Sequence, residues 1–305
     1  MDILTYKKIR KIQRLLVLSV VLVLTIPSGL LAGEITLPQD LNAKAFVIKS
    51  EREGLWEKSL VVQFYEKRGF YTGGGFHKGD IVPLMSQRRR ILSTNDGFVD
   101  AMAVVNHSAH SELWKRVCQE MKTREEVGGK VYSRKVKKGI AERLDIRSED
   151  IAQMATAADM DNLAVVTKTF KPFTVTALVT AGAKTNALRV GVDEGTHIEG
   201  EEPKGTVNIL IITNARLTDG AAARAIVTAT EAKTAAFEDV KVPSSYTKNV
   251  QATGTGTDSV IVVSGTTGPK VTYTGGHSRI GELIGKAVYE AVVEALGKQN
   301  GFKKP

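Results

Sequence analysis

The sequence predicts a layered domain of the α/β or mixed α+β class, with a largely buried β-sheet covered by helices; an αββα sandwich is one form of it. Three observations carry this expectation. From Leu163 onward the chain passes through short β-branched segments too uniformly apolar to be strands with one face in water. Two long amphipathic helical patterns alternate with those segments. The chain has 305 residues, 42% of them hydrophobic and 25% charged, which is ample for a sizeable core.

At the N-terminus, Lys7, Lys8, Arg10, Lys11 and Arg14 precede an uncharged run over residues 15–33, which is broken at Pro27-Ser28-Gly29. This is the layout of a secretory signal peptide. Its most apolar part, residues 15–26, is shorter than the about 20 residues a spanning helix needs. Residues 1–32 are therefore expected to be a signal peptide cut near Ala32 or Gly33, or an uncleaved N-terminal anchor. Either form implies export, to the periplasm or facing outward from a membrane. Residues 34–57 read as a polar connector and residues 58–298 as one domain.

Within that domain, residues 60–65 and 90–93 read as strands around a Gly73-Gly74-Gly75 turn. Helices are expected over 113–122 and 151–158, the second capped by Ser148 with Glu149 and Asp150 at its positive end, and Gly128-Gly129 marks a turn between them. Strands follow over 163–168, 173–179, 206–213, 259–264 and 270–273. An alanine-rich helix over 219–237 takes Thr218 as its cap. The last helix, 278–296, carries Ile280, Leu283, Ile284, Ala287, Val288, Ala291, Val292 and Ala295 on one stripe and ends at Gly297.

Composition excludes several chemistries. A single cysteine, Cys118, rules out a disulfide framework and a cysteine-rich metal site, and it reads as a buried thiol on the helix over 113–121. His107 and His110 are three apart and the other three histidines are isolated, so no metalloprotease spacing exists. No Gly-x-Ser-x-Gly elbow is present. The formal charge of +9 owes much to the N-terminal segment and the C-terminal tail. Arg88-Arg89-Arg90 and the basic run 134–138 lack interleaved aromatics, so they read as solvated faces and nucleic acid is not an expected partner.

Three junctions carry small and polar residues: 180–186 after one strand, 213–216 between a strand and the alanine-rich helix, and 274–278 before the last helix. Ligands bind beyond the carboxyl ends of strands in open α/β sheets, so these junctions are expected to converge on one crevice. Ordinary turn and capping chemistry is the alternative for any one of them. His277 is the best candidate for proton transfer, since the following helix start disfavours imidazolium; a structural role is the alternative. The segment ATGTGTD, 252–258, interleaves hydroxyls with glycines and ends in Asp258. Glycines admit a ligand close to the backbone, the threonines donate and accept, and Asp258 supplies a fixed carboxylate.

Four ordered motifs carry a resemblance: TAGAKTNALRVG (180–191), GTVNILIITNARLTDGAAARAIVTATEAKTAA (205–236), QATGTGTDSVIVVSG (251–265) and TYTGGHSRIGELIGKAVYEA (272–291). They closely resemble the adenosylcobinamide amidohydrolases, the CbiZ family, with looser similarity through 91–100 and 104–107. The resemblance implies hydrolysis of the amide joining aminopropanol to a corrin propionate, releasing adenosylcobyric acid in cobamide salvage and remodelling. The substrate is then adenosylcobinamide or a related cobamide, and no further cofactor is implied. On that reading His277 is general base or acid and Asp258 is its orienting partner or an alternative base. Asn214 with the Gly275-Gly276 backbone would donate to the oxyanion. Thr185, Asn186, Arg216, Thr253, Gly254, Thr255 and Thr257 would hold the amide-fringed corrinoid.

Two features depart from the family: the export signal, and a loop over 93–97 poorer in glycine than the family's early loop. An exported, non-catalytic corrinoid-binding protein is the alternative function. Contact with a membrane is expected only through an uncleaved N-terminal segment.

Overall fold

Two β-sheets lie face to face, and each is covered on its outer side by helices. The computed structural model describes residues 31–67, 84–123, 126–195 and 206–305, so almost all of the expected signal segment and the 73–75 turn lie outside the described residues. The first sheet has the order β1 (Leu31–Ile35), β2 (Ala43–Arg52), β3 (Leu55–Lys67), β7 (Ala103–Ala109), β8 (Ile151–Thr156), with β4 (Leu84–Ser86) beside β3. The second has the order β6 (Gly97–Ala101), β5 (Arg89–Ser93), β13 (Ser259–Val263), β11 (Thr206–Thr213), β10 (Phe173–Gly182), β9 (Ala164–Phe170). A short parallel ladder joins β12 (Arg216–Leu217) to β14 (Lys270–Val271). The helices are α1 (Ser111–Glu120), α2 (Gly128–Leu144), α3 (Asp219–Asp239) and α4 (Arg279–Asn300).

Strand alternation divides the core into layers. Val62, Phe64, Val104 and Met154 of the first sheet meet Ile91, Leu178, Leu210 and Ile261 of the second. The opposite face of the second sheet sends Val179, Ile209, Ile211 and Val260 against Ala225 and Ala229 of α3 and Ile284, Val288 and Val292 of α4. Val61 and Val105 on the outer face of the first sheet pack on Ile140 and Ala141 of α2. The fold is thus an αββα sandwich. Strands β10 and β11 are covered on both faces, which is why their sequences read as continuous apolar runs.

Both sheets repeat one connectivity. Strands β2, β3 and β7 run antiparallel in sequence, helices cross over, and β8 returns parallel to β7. Likewise β9, β10 and β11 run antiparallel, α3 crosses over, and β13 returns parallel to β11. Each parallel pair has its crossover helix on the outer face, as βαβ packing requires. Asn106 in β7 and Asn208 in β11 occupy these matching strands and meet across the sandwich at 2.8 Å.

Several expectations need correction. Residues 34–57 are not a polar connector: β2 buries Ala43, Ala45 and Val47 in alternation, the period of a strand on a core. Residues 151–158 do not form a helix. Ser148–Asp150 makes one 3-10 turn and the chain then enters β8, whose Ala152 and Met154 point between the sheets. Asp150 caps no helix; Arg147, with Arg88 beside it, holds its carboxyl below the usual range. Gly128-Gly129 opens α2 instead of a turn, and a Cβ at Gly128 would collide with the Cys118 carbonyl of α1. Helix α4 continues past Gly297 to Asn300 and ends at Gly301, whose φ of +78° gives the left-handed cap. Arg89 is no solvated residue: it is 3% exposed, its guanidinium donates to Leu41 O at 3.1 Å, and burial lowers its pKa. Cys118 on α1 is half-buried. The caps Thr218 and Ser278 accept from the N–H groups of Ala221 (3.2 Å) and Gly281 (3.1 Å), as expected.

A polar chain is buried beneath α2. Ser59, His107, Tyr132 and Glu57 follow one another at 2.8, 2.9 and 2.5 Å. Burial first, and Glu57 second, push the Tyr132 hydroxyl far above its ordinary pKa, so its one proton goes to Glu57. His107 Nε2 must then donate to Tyr132, and Nδ1 accepts from Ser59. Burial depresses His107 to about 4. The unfolded chain takes this proton near pH 6.5 and the fold only near pH 4, so stability falls as pH drops through that window, by about 3 kcal/mol at its foot. Denaturant midpoints taken from pH 7 to 5, where most carboxylates stay ionised, should decline less steeply in His107→Gln. An equal slope in both proteins would mean that another group carries the dependence.

Candidate functional site: an ion-paired crevice

The crossover from β11 through α3 to β13 brings Lys233 of α3 against Asp258, the residue that immediately precedes β13. The two side chains form an ion pair, with 10% of Lys233 and 14% of Asp258 exposed. Asp258 Oδ1 also accepts from Val207 N–H (3.2 Å), Thr255 N–H (3.2 Å) and the Thr255 hydroxyl (2.5 Å). Several donors around one carboxylate hold it in place. The glycines of the 252–258 loop have separate reasons. A Cβ at Gly254 would collide with Asp258 Oδ2 and Lys233 Nζ, while Gly256 has φ +71° and lies against Leu188.

Three segments wall the crevice. Leu188 pairs with the loop, its N–H donating to Gly254 O and its carbonyl accepting from Thr253 N–H, both at 2.8 Å. The Val190 N–H donates to Thr253 Oγ1 at 3.0 Å. On another side Thr94, in the turn between β5 and β6, exchanges hydrogen bonds with Val260, receiving 3.1 Å at its hydroxyl and giving 3.0 Å from its N–H. Helix α3 supplies Thr230, Lys233 and Thr234. The crevice is half open to solvent and has a volume of about 410 Å³. The crevice thus offers a fixed positive and negative charge at its floor and hydroxyls set among Val190, Ile209, Ile226 and Val260 on its walls, which suits a ligand bearing carbonyl and amide groups on an apolar frame.

Asp258, Thr253, Gly254, Thr255 and Thr257 stand together on this loop. Thr185 and Asn186 lie at the same end, exposed and buried respectively; the next residue, Ala187, is held by Ser245 (N–H to Oγ, 3.1 Å). The remaining sequence-predicted residues lie elsewhere. Asn214 follows the other end of β11, where it accepts from Thr174 N–H (3.0 Å) and donates to Asp40 Oδ2 (3.0 Å) and Pro172 O (2.9 Å). Arg216 donates to Gly268 O there at 2.9 Å. Gly275, Gly276 and the exposed His277 precede α4.

Helix α3 stands between His277 and Asp258. Its Thr228, Glu231, Ala232 and Ala235 line a hollow with Gly276, while its Ile226, Thr230, Lys233 and Thr234 face the crevice. The expected convergence of three junctions therefore fails, and the His277 and Asp258 pairing is not formed. The reason is topological. Strand β10 runs antiparallel to β11, so the loop leaving one lies at the opposite end of the sheet from the loop leaving the other. The rule that gathers loops at strand carboxyl ends belongs to parallel sheets.

Lys233, Thr94 and Val190 were not singled out from sequence. A signal existed for Lys233. It falls four residues after Ala229 and eight after Ala225 on the buried stripe of α3, where a lysine needs a partner. Gly254→Ala should push Lys233 and Asp258 apart and destabilise the fold by about 2 kcal/mol in denaturant unfolding. An unchanged midpoint would mean that the loop yields without cost. Among the described residues no group of three or more His, Cys, Asp or Glu side chains could hold a metal ion.

Fold and site together define an α+β sandwich protein with a small crevice, floored by an ion pair, at one end of a sheet. Residues 66–304 match the model of the adenosylcobinamide amidohydrolase family, CbiZ. The chain belongs to that family. An uncharacterized protein of Methanocaldococcus jannaschii is 45% identical over 230 residues, 71% of this chain and 85% of the relative. An adenosylcobinamide amidohydrolase of Methanosarcina mazei is 31% identical over 152 residues, 47% of this chain and 64% of the relative. The crystal structure of the PH0078 protein from Pyrococcus horikoshii OT3 aligns over 88% of this chain and 90% of its own, with 11% identity and a TM-score of 0.41.

Proposed function

We propose that this protein hydrolyses the amide between aminopropanol and the corrin propionate of adenosylcobinamide, giving adenosylcobyric acid and 1-amino-2-propanol, in cobamide salvage and remodelling. Family membership supports a corrinoid amidohydrolase, and the observation that carries the reading to this site is the Lys233–Asp258 ion pair on the floor of a threonine-lined crevice. Water adds to the amide carbon, the carbonyl oxygen becomes an oxyanion, the C–N bond breaks as the carbonyl re-forms, and the proton that the water gives up leaves on the departing amine. The Lys233 ammonium, fixed by Asp258, is suited to face the developing oxyanion, where a preorganised charge lowers the barrier most. Thr94 and Thr253 suit the neighbouring amides of the substrate as neutral partners. The basic, then apolar, N-terminal segment supports action outside the cytoplasm, on a corrinoid met before uptake.

Incubation with adenosylcobinamide followed by mass analysis tests this. Loss of the aminopropanol arm is expected with the wild type and not with Lys233→Met. Retained turnover in His277→Ala would separate that residue from the chemistry, whereas its loss would call for a second catalytic element across α3. A corrinoid bound but unchanged by the wild type would sink the hydrolase reading and leave an exported corrinoid-binding protein.

A further inference from the structure

Beside the crevice the chain makes a short strap, Arg189 to Asp193, whose two valines are turned to solvent: Val190 is 72% exposed and Val192 is 55% exposed. The strap is nonetheless firmly built. Asp193 Oδ2 accepts from Arg189 N–H and from the Ser244 hydroxyl, both at 2.6 Å, and its Oδ1 accepts from the Thr247 hydroxyl. These donors hold the Asp193 carboxyl below the usual carboxylate range. Val190 is tied to Thr253 through its N–H and is itself part of the crevice wall. Tyr246, in the turn clamped by the same carboxylate, is 53% exposed. A carboxylate with three protein donors thus holds apolar side chains in water at the mouth of the crevice, where burial against another surface would stabilise them.

The size of the crevice says what that surface is. About 410 Å³ lies at the low end of the ~300–1,000 Å³ of sites for drug-sized ligands, and a corrinoid is much larger than those ligands. The crevice can take one side arm and leaves the macrocycle outside. We infer that the strap is the wall on which the macrocycle rests, with Val190 and Val192 against its methyl-bearing edge and Asp193 as the residue that positions them, while the arm enters toward Lys233. This rests on the corrinoid substrate proposed above and adds where the body of that substrate lies.

Equilibrium dialysis of the full chain against adenosylcobinamide, followed by the visible absorbance of the corrin, tests it alongside product analysis. Val190→Asp/Val192→Asp should raise Kd and KM about tenfold, the loss of roughly one buried apolar contact, with a much smaller change in kcat. Asp193→Ala, which frees the strap and leaves its valines intact, should shift Kd in the same direction. Val227→Asp, the same charge on an exposed valine of α3, should leave Kd in place. An unchanged Kd in the double valine variant overturns the inference, as does an equal rise in Val227→Asp. A wild type that binds without hydrolysing overturns the amidohydrolase reading alone, because the comparison of Kd values still decides where the ring rests. A wild type that does not bind overturns both.

Discussion

Replacing Lys233 by methionine is expected to destabilise the fold by about 3–5 kcal/mol, the usual cost of leaving one member of a buried pair without its partner. Methionine keeps the length and apolar stem of lysine, so little packing is lost and the effect reports the charge. Asp258 would keep Val207 N–H and Thr255 as donors, which places the loss toward the lower end of that range. Asp258→Ala should cost a similar amount, because it strands the Lys233 ammonium at 10% exposure and also frees the 252–258 loop from the start of β11. The double variant Lys233→Met/Asp258→Ala should recover part of the stability, since no unpaired charge remains. Turnover should not recover with it. That divergence separates a charge needed for chemistry from one needed only by the fold. If Lys233→Met unfolds at the wild-type denaturant concentration, the pair is not the buried interaction its surroundings indicate.

The fold was legible wherever one physical cause dominated. Apart from β9, an edge strand with exposed Thr167, Thr169 and Phe170, the runs at β10, β11 and β13 are apolar because both faces of their sheet are covered, and that pattern needs no tertiary information. The same holds for α3 and α4, whose stripes and caps, Thr218 and Ser278, are local. Residues 151–158 read as a helix because Ser148, Glu149 and Asp150 imitate a helix start, whereas the parallel partner β7 and the pull of Ala152 and Met154 into the inter-sheet core decide for a strand over Ile151–Thr156. Strand β2 was hidden by exposed Lys44 on its outer face and by Lys49, which follows Ala43, Ala45 and Val47 on the inner face and ends their apolar alternation. The site was half legible. Threonines and glycines clustered before a strand marked the 252–258 loop, because so many polar residues at one turn serve more than the turn. Its cationic partner Lys233 is 25 residues away in sequence, and pairing at that range depends on where α3 ends its crossover. The separation of His277 from Asp258 was not legible, because a helix start and a histidine are visible locally, while the helix that stands between the two residues is not.

Asn208→Ala should cost about 3 kcal/mol, although it removes only a short side chain from the middle of the sandwich. Asn208 is fully buried between the sheets, and its amide gives one hydrogen to Asn106 Oδ1 and one to Ala155 O, both at 2.8 Å. Asn106 in turn donates to the Thr180 hydroxyl at 3.0 Å, so a polar chain links the two sheets through their shared core. Truncation would leave the Asn106 carbonyl oxygen and the Ala155 carbonyl buried without that donor, and an unsatisfied acceptor costs more than a satisfied bond contributes. Asn106→Ala/Asn208→Ala should therefore cost clearly less than the two single changes added together, and additivity in a double-mutant cycle by denaturant unfolding would refute a coupled pair. The chain also reaches the crevice. Thr206 Oγ1 lies 3.0 Å from Asn208 Oδ1 and 2.7 Å from the carbonyl of Thr257, the residue before Asp258. Loosening Asn208 should thus lower kcat as well as stability, whereas a core asparagine with no link to the loop would change stability alone. The two matching strands that carry Asn106 and Asn208 would then do more than join the sheets. They would transmit the rigidity of the sandwich to the carboxylate that holds Lys233.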